Sequence, residues 1–506
     1  MAHYAIGKRG LLNLPGVTHA TKSLTEKLLL SDAEKHHCYF RAAGLHNHLS
    51  HQVLATYDMG ASTGVIQKIY DMHASYQRPI YVEEKDADIV VTRDNWTEHL
   101  GKQEAYGAYF KFFCQEVERL GPSATLESYV FQPEANDKGR DMLDRFLSGA
   151  LHPFIQVGYA VEFGDNTLVA TGLAQTAIHH TALAHAFPYS TAWGPDNALP
   201  PPPVTGPGRQ PSAGISLLEV LRQVTDSPIL APPLPYNPDH LLSARLKSAV
   251  EGEKPAEILR IAQQYTLAIP NDASEEELES RVEELVWTAT LLMFATGREG
   301  RETRLDFFLM HLVTSSLFFK PVFSVLENPR SKVALIRHYV PALIVLMLAR
   351  GRPLIRANLV QEWTEAPRPA GWDKDAKKEE GQNSGRALTN VGDLKKDEDY
   401  NPWPLLIQGA IHHPDLHLAK AMRSLIFATQ KYGTTGPGEV IGAFRPGKAE
   451  REETFKGTSQ LDGTLFVRAA GVMMDYMRWT ISGDTAREPQ WDGSALGYDD
   501  AWANKN

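Results

Sequence analysis

Histidine interrupts five apolar or helix-like runs of this chain: GLHNHLSHQVLATYDMGA (44–61), GALHPFIQVGYAVEF (149–163), LAQTAIHHTALAHAF (173–187), LDFFLMHLVTSSLFF (305–319) and IHHPDLHLAKAMRSL (411–425). A neutral imidazole fills an apolar wall badly unless both ring nitrogens find partners. One such residue means little. Five such segments, drawn from most of the chain's length, constrain the fold strongly. They point to one buried site that gathers ligands from distant parts of the sequence, and a metal centre is the leading candidate.

The segments read as helices. Residues 45–59 are apolar at i, i+3 and i+4, with Gly60 as a stop, and Ser62 caps a second helix through Tyr70. Residues 98–120 carry Tyr106, Tyr109, Phe110 and Phe113 on one stripe. Ser274 and Glu277 form a capping-box pattern before 278–296. Further helices are expected at 305–319, 332–349, 464–480, and from Pro414-Asp415 through Thr429. Strand-like alternation is confined to a short run such as DIVVT, 88–92. The expected fold class is therefore all-α: one large helical globular domain over 1–506, with a Pro/Gly-rich loop at 200–212 and a charged surface insertion at 364–401.

Several functions are disfavoured. A net charge of −10, with no basic run interleaved with aromatics, argues against a nucleic-acid partner. Cys38 and Cys114 are the only cysteines, so neither a disulfide framework nor a cysteine zinc site can be built, and a reducing, cytoplasmic setting is expected. The apolar stretches 307–319 and 340–349 are too short to span a bilayer, so no membrane partner is expected. No G-x-G-x-x-G, P-loop, H-E-x-x-H or G-x-S-x-G motif is present.

The candidate site residues follow from the runs. His48 and His51 are i,i+3 neighbours on a helix and can face one point; either can ligate. His152 stands before Pro153 at a helix start, with Gln156, Tyr159 and Glu162 further along. His179 follows Gln175 by four residues, a spacing for a hydrogen-bonded pair that orients a ligand or walls a pocket; Gln175, His179 and Tyr159 are the candidate catalytic residues. His311, between FFLM and LV, must be buried. His417, Lys420 and Arg423 share a face that is cationic unless something anionic offsets it. A lysine carboxylated by carbon dioxide would remove that conflict. The bland alternatives are satisfied core histidines and a solvated Lys420.

These stretches resemble the questin oxidase-like family of fungal secondary metabolism. The matching pieces are HNHLSHQVLATYDMGAS with YDMHASYQRP, LHPFIQVGYAVEF with GLAQTAIH, DFFLMHLVTSS, HPDLHLAKAMRSL, and the segment Trp491–Trp502, WDGSALGYDDAW. The resemblance runs from near residue 38 to 502. It implies a mostly helical enzyme that uses O2 to open the ring of an anthraquinone-type aromatic polyketide. It also implies a non-heme Fe(2+) held by His48, His152, His311 and His417, with Lys420 as the candidate carbamate. Such proteins are often labelled Baeyer–Villiger oxidases using NADPH, but no dinucleotide fingerprint supports that cofactor here. The chain departs from the family at Gln156, where relatives tend to have histidine. Two other readings stay open: a zinc or manganese hydrolase that activates water, and a helical binding protein with core histidines.

Overall fold

The structure, a computed structural model, describes residues 4–41, 44–195, 204–372, 391–448, 450–488 and 491–503. Residues 200–203 of the expected loop and 373–390 of the expected insertion lie outside the described residues. The fold is mainly helical, as expected, and its only named sheet among the described residues is a two-stranded pairing of Tyr39–Arg41 with Leu45–His46.

That small pairing corrects the expected 45–59 helix. Leu45 and His46 are extended, and the helix is Leu49–Asp58. The cause is Asn47: its Oδ1 accepts the Leu49 N–H at 2.9 Å, so the chain turns there and becomes helical only afterwards. All ten residues of this helix are buried, which is why its apolar period is interrupted by histidines without loss of packing. Ser62 caps the next helix, Thr63–Ala74, as the sequence implies.

A second correction falls at 305–319. Only Met310–Ser316 is helical there, followed by a separate helix Phe319–Val325. The Asp306 carboxylate accepts the N–H groups of Phe308 (2.9 Å) and Leu309 (3.2 Å), a local alternative to helix that holds the preceding turn open. The 98–120 helix likewise begins later, as Tyr106–Leu126, and the 88–92 strand is absent, replaced by a 3₁₀ turn Glu84–Asp88 and irregular chain. With no neighbouring strand among the described residues, Ile89–Thr92 has no ladder to join.

The helix Met142–Phe163 is broken inside. Ser148–Leu151 leave helical conformation, and Gly149, Ala150 and Leu151 all have positive φ. Pro153 accounts for the break: it has no N–H to give Gly149, four residues back, and its ring crowds that carbonyl. The helix resumes at His152. Helix Asn166–Ile178 is packed against both Tyr106–Leu126 and Met142–Phe163. Pro329–Ala349 is long and apolar enough to cross a membrane, yet its most apolar part is 89% buried inside the protein, where it forms core against the broken helix and its neighbours.

Candidate metal centre

The three helices Leu49–Asp58, Met142–Phe163 and Leu418–Tyr432, with Met310–Ser316, bring five imidazoles together. Ring centroids are 4.9 Å apart for His48–His152, 4.8 Å for His152–His311, 4.5 Å for His48–His417 and 5.6 Å for His311–His417. His51 lies 5.8 Å from His48. One nitrogen from each of His48, His152 and His311 falls within 4.8 Å of the others, a spacing that can hold a metal ion.

The proton positions follow from the partners. Gly149's carbonyl, freed by Pro153, accepts the His152 Nδ1–H, and Phe307's carbonyl accepts the His311 Nδ1–H at 3.0 Å. A carbonyl only accepts, so each ring carries its proton on Nδ1 and leaves the Nε2 lone pair free. His152 Nε2 faces His48 Nε2 at 2.7 Å. His311 Nε2 and His417 Nε2 are buried with no hydrogen-bond partner. Asp415 lies 3.9 Å from His417 Nδ1, on the opposite side of the ring from that orphaned nitrogen. His311 thus pairs an orphaned buried lone pair with a ring anchored through its other nitrogen, the arrangement that metal-ligating histidines show, and with His48 and His152 beside it the donor set fits a metal ion.

Burial pushes the pKa values of His48, His51, His152 and His311 well below the usual 6.5, and mutual repulsion with one another and with Lys420 adds to it. His417 is also lowered by burial and by Lys420, against the opposing pull of Asp415. The rings are therefore neutral, the form a metal requires. Lys420 reaches the same group, with Nζ buried and unpartnered. Burial drives its pKa down to about 7, with Asp415 pulling the other way.

His51 does not share the anchoring. Neither of its nitrogens makes a hydrogen bond, although Gln156 is near enough to favour its proton slightly. Its ring stacks on Tyr159 at 5.2 Å. Tyr159 is thus at the edge of the cluster, with the Arg423 guanidinium 5.3 Å from its ring.

Gln175 and His179 stand one layer further out. His179 Nδ1–H donates to the Gln175 backbone carbonyl at 2.6 Å, so the pair forms through the main chain and not through the Gln175 side chain, whose Oε1 has no partner. His179 Nε2 meets His46 Nε2 at 2.8 Å and the Tyr39 hydroxyl at 3.1 Å. His46 in turn lies flat on His152, with centroids 3.7 Å apart and planes 2° from parallel. Neither His46 nor Tyr39 was expected as a site residue. The H-N-H spacing at 46–48 carried a signal for His46; nothing local marks Tyr39. Gln156 joins helices by accepting from Ser50 Oγ (3.0 Å) and donating to Thr171 Oγ1 (2.9 Å), and it lines a separate cavity of about 20 Å³.

The expected anionic offset for the cationic 417–423 face is Asp415 near His417 and, in direct hydrogen bonds, two carboxylates at Arg423. Its guanidinium donates to Asp58 (2.9 Å) and to Glu162, all three side chains being almost fully buried. Those carboxylates also accept backbone N–H groups from Leu11 (2.7 Å), Leu12 (3.1 Å) and Asn13 (2.8 Å).

A mainly helical protein that buries an all-histidine cluster of this kind is the class the fold and site define. The sequence profile described as questin oxidase-like matches residues 45–425, and the chain belongs to that family. Trp491–Trp502, part of the expected resemblance, lies beyond the matched stretch. The chain is similar to a questin oxidase of Aspergillus fumigatus, 29% identical over 293 residues, covering 58% of this chain and 62% of the relative. It is 31% identical over 301 residues to the Baeyer-Villiger monooxygenase dmxR6 of Cryptosporiopsis sp., covering 59% of this chain and 63% of the relative. A third relative is the Baeyer-Villiger oxidase ptaJ of Pestalotiopsis fici, 29% identical, with 58% and 61% covered. The chain thus spans less than two thirds of each of these relatives.

Proposed function

We propose that this protein is an oxidoreductase of polyketide secondary metabolism that uses O2 to open a ring of an anthraquinone-type aromatic substrate. The proposed centre is iron(II) held by His48, His152, His311 and His417, with Lys420 as a fifth donor. The observation that carries this reading is the convergence of buried ring nitrogens from His48, His152 and His311 within 4.8 Å of one another, with His311 Nε2 and the neighbouring His417 Nε2 left without a hydrogen-bond partner. The relatives, a questin oxidase and two Baeyer–Villiger enzymes, support the oxidative part.

Bound iron would supply the one-electron chemistry that lets triplet dioxygen react with a singlet organic molecule. The chain's own residues prepare for it. Gly149 and Phe307 fix the tautomers of His152 and His311, so no proton has to leave those two nitrogens when a metal enters. Asp415, 3.9 Å from His417 Nδ1, is the anion that favours a proton on that nitrogen. Lys420, held partly neutral by burial, is nucleophilic toward carbon dioxide; its amine adds to the carbon and releases one proton, giving an anionic oxygen donor. Phe307, 5.2 Å from His311 and 5.0 Å from His417, is an apolar wall against which a flat ring can rest. Tyr159, Gln175 and His179 would act by orienting neighbours: Tyr159 through His51, and His179 through His46. One helical unit over the full chain, in a reducing compartment, completes the reading.

Elemental analysis of protein purified without chelator or nickel tests it. Near-stoichiometric iron, with oxygen uptake on adding a hydroxyanthraquinone, is the expected result. Zinc with no oxygen uptake would favour the hydrolase. Turnover that consumes NADPH without any metal would favour the Baeyer–Villiger monooxygenase of the relatives' names and sink the iron centre.

A further inference from the structure

A cavity of about 350 Å³ opens beside the centre, between the chain around Arg304, the helix end at Tyr476 and the segment Trp491–Trp502. That volume is within the range of small-molecule sites, roughly 300–1,000 Å³. Its walls are aromatic: Tyr476 and Trp502 are buried, and Trp491 is half-buried. Its inner charges do not cancel. Arg304 is paired with Asp492 at 2.8 Å and lies 4.9 Å over the Trp502 ring. Arg487 lies 4.4 Å over Tyr476 and has no carboxylate partner among the described residues. The remaining acids of the cavity, Glu302 and Glu488, are exposed at the rim.

Only one layer separates this cavity from the histidines. The Trp491 indole N–H donates to Asp415 Oδ1 at 3.0 Å, and Asp415 neighbours His417 Nδ1. The next residue, Asp492, accepts the Phe307 N–H at 2.9 Å, and the Phe307 ring touches both His311 and His417. We propose that this cavity is the docking chamber for a flat aromatic acid, a phenolate or carboxylate, with Arg487 as its anion partner and Trp491 as the wall between chamber and centre. The proposal rests on the reading of the histidine cluster as the place where that aromatic is oxidised. Trp491 then has two faces of duty. It offers a ring for stacking, and it holds the carboxylate beside His417, so a guest that displaces the indole alters the setting of that histidine.

Binding can be separated from chemistry by using metal-free full-length protein. The probes are a dihydroxyanthraquinone bearing a ring carboxylate and the same compound without it, each titrated while tryptophan fluorescence is followed. The chamber predicts saturable quenching, with the carboxylate bound about ten-fold more tightly, as a single charge-assisted contact gives. Arg487→Gln should abolish that preference, and Arg487→Lys should restore part of it, both with an unchanged thermal midpoint. Trp491→Leu should weaken both probes alike. Equal affinity of the two probes, or an Arg487→Gln variant that binds like the wild type, overturns the proposal. If the wild type binds as expected yet takes up neither iron nor oxygen, the oxidative reading fails and the chamber stands. If iron and turnover are intact and Arg487→Gln leaves KM unchanged, the chamber fails alone.

Discussion

The same three helices build two buried polar clusters that differ in one respect. Leu49–Asp58 begins at His48 and His51 and ends at Asp58; the continued half of Met142–Phe163 begins at His152 and ends near Glu162. In both, ten residues separate the two contributions, about 15 Å of helix. Leu418–Tyr432 supplies Lys420 to one cluster and Arg423 to the other. At the far end, Asp58, Glu162 and Arg423 are bonded to one another and to the backbone of 11–13. At the near end, His311 Nε2, His417 Nε2 and Lys420 Nζ have no partner at all. Burial is equal and packing is shared. At the far end Arg423 Nη1 and Glu162 Oε2 also lack partners, but each of those side chains is held through its other polar atoms, whereas Lys420 has only the one, unpartnered, nitrogen.

If that contrast is right, the two ends should respond oppositely to loss of a side chain. Arg423→Met leaves two buried carboxylates facing each other, and should cost about 3–5 kcal/mol by denaturant unfolding, enough to make the variant hard to purify. Restoring stability by combining it with Asp58→Asn and Glu162→Gln would confirm that the charges and not the volume matter. His311→Leu should do the reverse. Metal affinity should fall by more than ten-fold in chelator competition, while the metal-free protein unfolds within about 1 kcal/mol of the wild type, because removal of an unpartnered buried nitrogen offsets the lost bond to the Phe307 carbonyl. A large loss of metal-free stability in His311→Leu would erase the distinction between the clusters.

Asp415→Asn is a finer test. The amide oxygen can still accept the N–H groups of His417 and Leu418, at 2.9 Å each in the wild type, so the helix start should survive. The anion beside His417 is gone, and a ten- to hundred-fold loss of metal affinity is expected, read by the same competition. The smallest effect belongs to Tyr159→Phe. The ring continues to stack on His51 and face Arg423, so unfolding should shift by less than about 1 kcal/mol. A drop in turnover with metal content unchanged would then assign its hydroxyl to the reaction.

Helix identity and the histidine gathering were readable because both depend on local pattern. The five runs each carry a polar ring that apolar packing alone would not tolerate, and four of them do meet at one point. Pro153 also announced the helix restart at His152. What escaped reading was set by side chains reaching back to the main chain. Asn47 turns 45–48 away from helix, and Asp306 shortens the His311 helix, by capturing N–H groups that periodicity assigns to the helix. The outer layer escaped for a different reason. Tyr39 and His179 are 140 residues apart in sequence, and Trp491 reaches Asp415 across 76. No spacing rule joins such residues, since each is brought to its partner only by the packed whole. Asp415 itself was legible as a helix opener but not as the residue that sits behind His417.

The knot at the far end also carries a message about synthesis. Asp58 and Glu162 precede Arg423 by hundreds of residues, and among the described residues the guanidinium that bonds to both belongs to Arg423. Until that part of the chain has left the ribosome, two carboxylates destined for a dry interior have no counterion. Closing the leading third around them beforehand would bury like charges, at a cost of several kcal/mol. The segment 11–13, which fastens onto the same carboxylates, is therefore expected to take its final place only once residue 423 has joined them.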